Sequence, residues 1–306
     1  MVHNKQGIDM LHGRIWTKVL RFALPVAATG ILEQLFNASG IMIVGNFSQS
    51  DGTAAVAAVG SNAPVTGLIL NLFIGIALGA NVVIANAIGR GSREAVRNAV
   101  HTSIVTALIG GVIVAIIGEL LAGPLLGMLN VTADVFPLAL AYLRIYLIGM
   151  PVILLYNFET AIFRSIGDTQ APLAVLAISG VLNVTVGLIF VVLFHWGVSG
   201  VATATVIANV VSSMILLYRL VHTDAAIHVD LREFGIDWFT LRQILRIGLP
   251  AGVQSAVFAV ANIIIQAAIN SLGTVVMAAS SAAFNIEIIA YYVLNSFSQA
   301  CATFTG

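Results

Sequence analysis

The sequence predicts an all-α membrane protein, a polytopic helix bundle built from one six-helix lobe and the first two helices of a second, pseudo-symmetric lobe. Composition, span length and an internal repeat carry this expectation. Apolar residues fill 59% of the 306 positions and charged residues only 8%, against roughly 25% charged in a soluble domain. Mean hydropathy is +1.02. So little charge cannot clothe a water-facing surface, and the excess apolar surface must meet lipid. Open strands would leave backbone groups unsatisfied there, so the spans are helices.

Eight candidate spans follow in order, near 19–47, 54–88, 96–122, 135–163, 172–194, 198–220, 242–271 and 275–305. Several exceed the length that crosses a bilayer, which implies tilt or kinks. Pro25, Pro64, Pro151 and Pro250 lie in or just within spans, where each removes a backbone hydrogen bond. The segment from Met1 to Arg21 is polar and basic, and the apolar run after it is too long for a cleavable leader. Twelve of the thirteen Lys and Arg residues, from Lys5 to Arg246, fall on one set of span ends and connections. Only Arg144 falls on the other. The positive-inside rule then places the N-terminus and the 222–241 loop in the cytoplasm, with the spans in the inner membrane. The charged stretch with Asp224, Asp230, Arg232, Glu233 and Asp237 reads as a solvated linker with a short interfacial helix.

Leu20-Arg21-Phe22-Ala23-Leu24-Pro25 recurs as Leu245-Arg246-Ile247-Gly248-Leu249-Pro250, an offset of 225 positions that Asn37 and Asn262 also keep. Both copies open a span from the basic side, so the repeats are parallel. Residues 1–221 are expected to form an N-terminal six-helix transport lobe, 222–240 a linker, and 241–306 the start of a second lobe. The second copy stops where the first has reached about residue 81, so the pattern predicts a fragment. Such duplication is the construction rule of secondary transporters, whose sites lie between or within the halves.

Against this background the residues resemble the multidrug and toxic compound extrusion (MATE) family, from about Lys18 to Gly306. The segments FIGIALGANVVIANAIGRG (73–91), LRIYLIGMP (143–151) and FRSIGDTQAP (163–172) carry the likeness. The last is the best single marker. In it Arg164 precedes Gly167, which permits a tight turn, Asp168 and Thr169, which can cap the next helix, and Pro172, which suits its first turn. The resemblance implies twelve spans in two lobes and export of organic cations in exchange for protons or sodium. The sequence departs from the family at the coupling carboxylates. Gly40 and Gly187 stand where proton-coupled members carry Asp, and Phe258 where the sodium-coupled branch carries Glu. The coupling ion, H+ or Na+, is therefore left open.

A carboxylate at mid-bilayer costs at least about 2.5 kcal/mol to insert and marks a functional candidate by default. Glu33, near the centre of span one, and Glu287, in span eight, are the candidates for a coupling ion or substrate cation. Asn37, Asn157 and Asn183 are candidates to line a first-lobe cavity, as the family's network implies, with helix–helix hydrogen bonding as the alternative. Glu159, five residues before Arg164, is expected to snorkel to the interface, and Glu119 to be solvated.

Other chemistries find no support. The single Cys301 allows no disulfide framework. No two of the six histidines have metal-ligand spacing, and no phosphate-binding loop or catalytic constellation is present. Positive and negative residues balance at 13 each, which gives no reason to expect a nucleic-acid partner. No catalytic residue, metal or cofactor is predicted, only a transported H+ or Na+. The expectation is a monomeric antiporter among membrane lipids, exporting small amphipathic, often cationic, compounds by alternating access. A lipid-linked oligosaccharide flippase of the same superfamily is the alternative, and it would need clustered cations in its cavity.

Overall fold

The computed structural model describes residues 14–47, 52–129, 131–230, 235–270 and 274–305, less several side chains between 263 and 289. Among the described residues every regular element is helical. The helices are α1 (Ile15–Phe47), α2 (Gly52–Gly89), α3 (Arg93–Met128), α4 (Phe136–Ile148), α5 (Met150–Ser165), α6 (Gln170–Leu188, prolonged by a π-turn over Ile189–Leu193), α7 (Gly197–Val221), α8 (Trp238–Asn270) and α9 (Thr274–Thr305). Six of these, with α4 and α5 together as a seventh, are long and apolar enough to cross a membrane among the described residues. Exposed Leu, Ile, Val and Phe cover their outward faces, as lipid requires.

Residues 135–163, expected as one span, form two helices bent by 53°. Gly149 and Pro151 flank the break. Proline has no N–H to continue the ladder, and the chain recovers by bonding Ile153 N–H to the Gly149 carbonyl at 3.0 Å. Gly111 of α3 presses its backbone against Pro151, leaving no room for a side chain. The bend turns Tyr146 of α4 and Tyr156 of α5 toward one cavity.

The linker also departs from expectation. Its described part, residues 222–230 and 235–237, contains no helix. It packs back on the bundle, with Ile227 and Val229 fully buried against Val96, Val100 and Leu220. The hydrophobic effect overrides the flanking charge because two apolar residues find a ready pocket. His101 of α3 fixes the strap. Its Nδ1 lies 2.8 Å from the Arg97 carbonyl, so in the neutral ring Nδ1–H donates there and Nε2 accepts from Asp230 N–H at 3.2 Å. Asp237 caps α8, accepting from Thr240 N–H and hydroxyl. These donors hold its carboxyl below the ordinary value, the Thr240 hydroxyl most of all. Arg232 and Glu233 lie outside the described residues.

Helices α8 and α9 pack on α2 and α1, a pairing the 225-residue repeat relates by pseudo-symmetry. The two seams are built differently. Gly75 and Gly79 of α2 interlock with Gly248 and Gly252 of α8, each backbone resting directly on the other. Small residues let membrane helices approach this closely. On the α1–α9 side, Phe22 and Phe304 meet edge to face with centroids 6.2 Å apart, beside Val26 and Ala300.

Candidate functional site

Polar side chains recur at helical spacing on the inward faces of several helices and enclose two adjoining cavities. The first has a volume of about 160 Å³ and lies within the first six spans. Glu33 and Asn37, one turn apart on α1, face Asn157 of α5, Asn183 of α6 and Asn209 of α7. Asn157 and Asn209 each donate an amide hydrogen to the carbonyl four residues back, at 2.8 and 2.9 Å. Their carbonyl oxygens are left to accept from whatever enters. The cavity is therefore rich in acceptors, which suits a proton, a sodium ion or an ammonium group.

The second cavity, about 260 Å³, lies between the lobes. Glu33 lines this one too, together with Asn71 and Asn81 of α2, Arg164 of α5, Ser255 of α8, and Tyr292, Asn295 and Gln299 of α9. Glu33 is exposed into this shared space. Cross-lobe hydrogen bonds close its basic end. Arg164 Nη1 donates to Gln299 Oε1 at 2.7 Å, and the Thr303 hydroxyl donates to Asn81 Oδ1 at 3.0 Å. Asn81 in turn donates to the Ala161 carbonyl at 3.2 Å, tying α2, α5 and α9 together.

The structure thus brings Glu33, Asn37, Asn157 and Asn183 to one cavity and leaves Glu287 apart. Glu287 is exposed on α9, one turn before Tyr291, and lines neither described cavity. Gly187 is buried, with only Ile43 and Ala204 beside the space a side chain would take, and a Cβ on Gly40 would lie 3.1 Å from Val201. The space at Gly187 would admit a Cβ at ordinary contact distance, whereas that at Gly40 is tight against α7. Phe258 is 62% exposed on the surface of α8.

Two expectations are corrected. Glu159 does not snorkel. It is 0% exposed and faces Ser213 of α7, with no hydrogen bond to either carboxylate oxygen within 3.5 Å among the described residues. Glu119 is not simply solvated, since it pairs with Arg144 at 3.5 Å. The 163–172 turn is built on Gly167 in the left-handed region, φ +77°, where a side chain would be strained. Asp168 accepts from Ala171 N–H at 3.0 Å and caps α6. Thr169 makes no capping bond, and its buried hydroxyl is unpartnered among the described residues. Pro172 is buried in the first turn. Burial pushes the Asp168 carboxyl above its ordinary value, against the Ala171 N–H and the Arg219 charge, which lower it.

Thr205, Asn209 and Ser212 on α7 were not singled out from the sequence, although their spacing of four and three residues places them on one face. Arg164 read as part of a turn, because it stands at a helix end. Only the fold aims it into the interlobe cavity.

Two helical repeats packed around polar cavities in an apolar shell form the architecture of a secondary transporter. The MatE family model matches residues 25–189, more than half of the chain, and the chain belongs to that family. It is 25% identical over 288 residues to the probable multidrug resistance protein YpnP of Bacillus subtilis, covering 93% of this chain and 63% of YpnP. It is 26% identical over 304 residues to the probable multidrug resistance protein NorM of Thermotoga maritima, covering 94% and 62%. A solved structure described as the outward-facing conformation of a multidrug resistance MATE family transporter matches with a TM-score of 0.88 at 25% identity, over 98% of this chain and 66% of that one. The chain spans less than two thirds of the length of these curated relatives.

Proposed function

We propose that this chain supplies the first lobe and the interlobe cleft of a multidrug efflux antiporter, with its basic ends in the cytoplasm. It exports amphipathic organic compounds in exchange for H+ or Na+. The observation that carries this is Glu33, a carboxylate in a membrane span that lines both cavities. A single ionisable group shared by two adjoining spaces lets an ion in one compete with a ligand in the other, which is the requirement of exchange. The cross-lobe bonds at the basic end correspond to a cleft shut toward the cytoplasm. Breaking them is the inward-opening half of the cycle. Among the described residues Arg164 is the single basic side chain lining either cavity, which does not favour a flippase carrying a pyrophosphate.

Glu33→Gln in the full-length protein keeps size and hydrogen-bonding shape but cannot ionise. Dye export in everted vesicles, with proton and sodium gradients imposed separately, should be lost under the driving gradient while membrane expression is unchanged. Glu287→Gln should export normally. Export by Glu33→Gln at the wild-type rate under both gradients would sink the assignment.

A further inference from the structure

Resting on that export reading, we infer that the interlobe cleft selects zwitterionic amphipaths, holding a cationic group at Glu33 and an anionic group at Arg164. Among the described residues these two are the charged side chains lining the interlobe cavity, so its lining is formally neutral yet dipolar. No ion pair within 4.0 Å joins them. Each therefore keeps capacity for a ligand. Arg164 gives a hydrogen bond to Gln299, and a guanidinium carries five N–H donors in a fork that fits carboxylate or phosphate.

A monocation seated at Glu33 would satisfy the carboxylate but leave the Arg164 charge uncompensated, and the two cations would repel each other across the cavity. A monoanion at Arg164 meets the converse difficulty. A molecule bearing both charges satisfies both walls. Tyr291 and Tyr292 on α9 supply aromatic faces for its apolar body, and the amides of Asn71 and Asn295 can bond its neutral polar groups. Charge complementarity of this kind sets specificity more than raw affinity.

Rhodamine B and its ethyl ester test this, since they share one dye body while the free acid is a zwitterion and the ester a monocation. Fluorescence anisotropy on the full-length protein in nanodiscs, with empty nanodiscs subtracted, should show the acid binding about tenfold tighter than the ester. Arg164→Gln should bring that ratio to about one, weakening the acid and relieving the repulsion of the ester. Arg164→Lys, which keeps the charge, should retain the preference. The inference is overturned if the wild-type protein binds the ester as tightly as the acid, or if Arg164→Gln leaves the ratio unchanged. The wild-type ratio decides even where the Gln variant does not fold. Export of the ester that Glu33→Gln abolishes, alongside a flat binding ratio, would overturn the zwitterion assignment and leave the antiporter intact. Failure to bind or export either dye would overturn both.

Discussion

Substituting Gly248 by Ala tests whether the α2–α8 seam depends on backbone contact. A Cβ at Gly248 would stand 2.5 Å from Ile76 Cα, 2.8 Å from the Gly75 carbonyl oxygen and 2.9 Å from that of Ile76. All three neighbours are backbone, so no side chain can rotate away. Carbon atoms settle at about 3.5–4.0 Å, so α8 must retreat from α2 by about 1 Å along the seam. Overpacking of this kind costs about 1–3 kcal/mol. Ala also favours a helix over Gly by up to about 1 kcal/mol, which partly offsets the strain. Gly67, in the interior of α2 with nothing within 4 Å of its Cβ position, isolates that gain. Gly67→Ala should hold or raise thermal stability and Gly248→Ala should lower it, with the gap between them reporting the contact alone. The assay is the heating midpoint of the purified full-length protein, read as the monodisperse fraction on size exclusion. A Gly248→Ala midpoint equal to or above that of Gly67→Ala would refute the close-contact seam.

The cap at the 163–172 turn has a pH signature. The Asp168 carboxyl is raised above 3.8, so its contribution is full in acid and lost as pH rises through the folded-state value. Asp168→Asn should gain stability relative to wild type as pH rises above about 4, and a flat difference across melting curves would contradict this. Asp168→Ala, losing the acceptor, should cost about 1 kcal/mol in acid and progressively less as pH rises. His101→Ala removes the bond that pins the 222–230 strap. A loss of about 1 kcal/mol should speed limited proteolysis there about fivefold, and an unchanged rate would show that the buried Ile227 and Val229 and the Val229–Leu220 backbone bond hold it without His101.

Composition and periodicity determined the helix-bundle class, the placement of the first seven of eight expected spans, the repeat and the candidacy of Glu33, because lipid leaves few ways to satisfy a backbone and makes each buried charge conspicuous. Asn37, Asn157 and Asn183 were legible for the same reason, as polar groups inside apolar runs. The α7 stripe was readable too, but Thr and Ser are common in membrane helices and their spacing carries a weak signal. Only the tertiary structure decided that Glu159 is buried, that the 222–230 strap folds back on the bundle, and that the fourth span breaks. It alone gave Glu33 and Arg164 a common cavity, although 131 positions separate them. Hydropathy records how a segment meets solvent or lipid. Which inward faces meet one another depends on packing between helices distant in sequence, and here on glycines that let α2 and α8 touch.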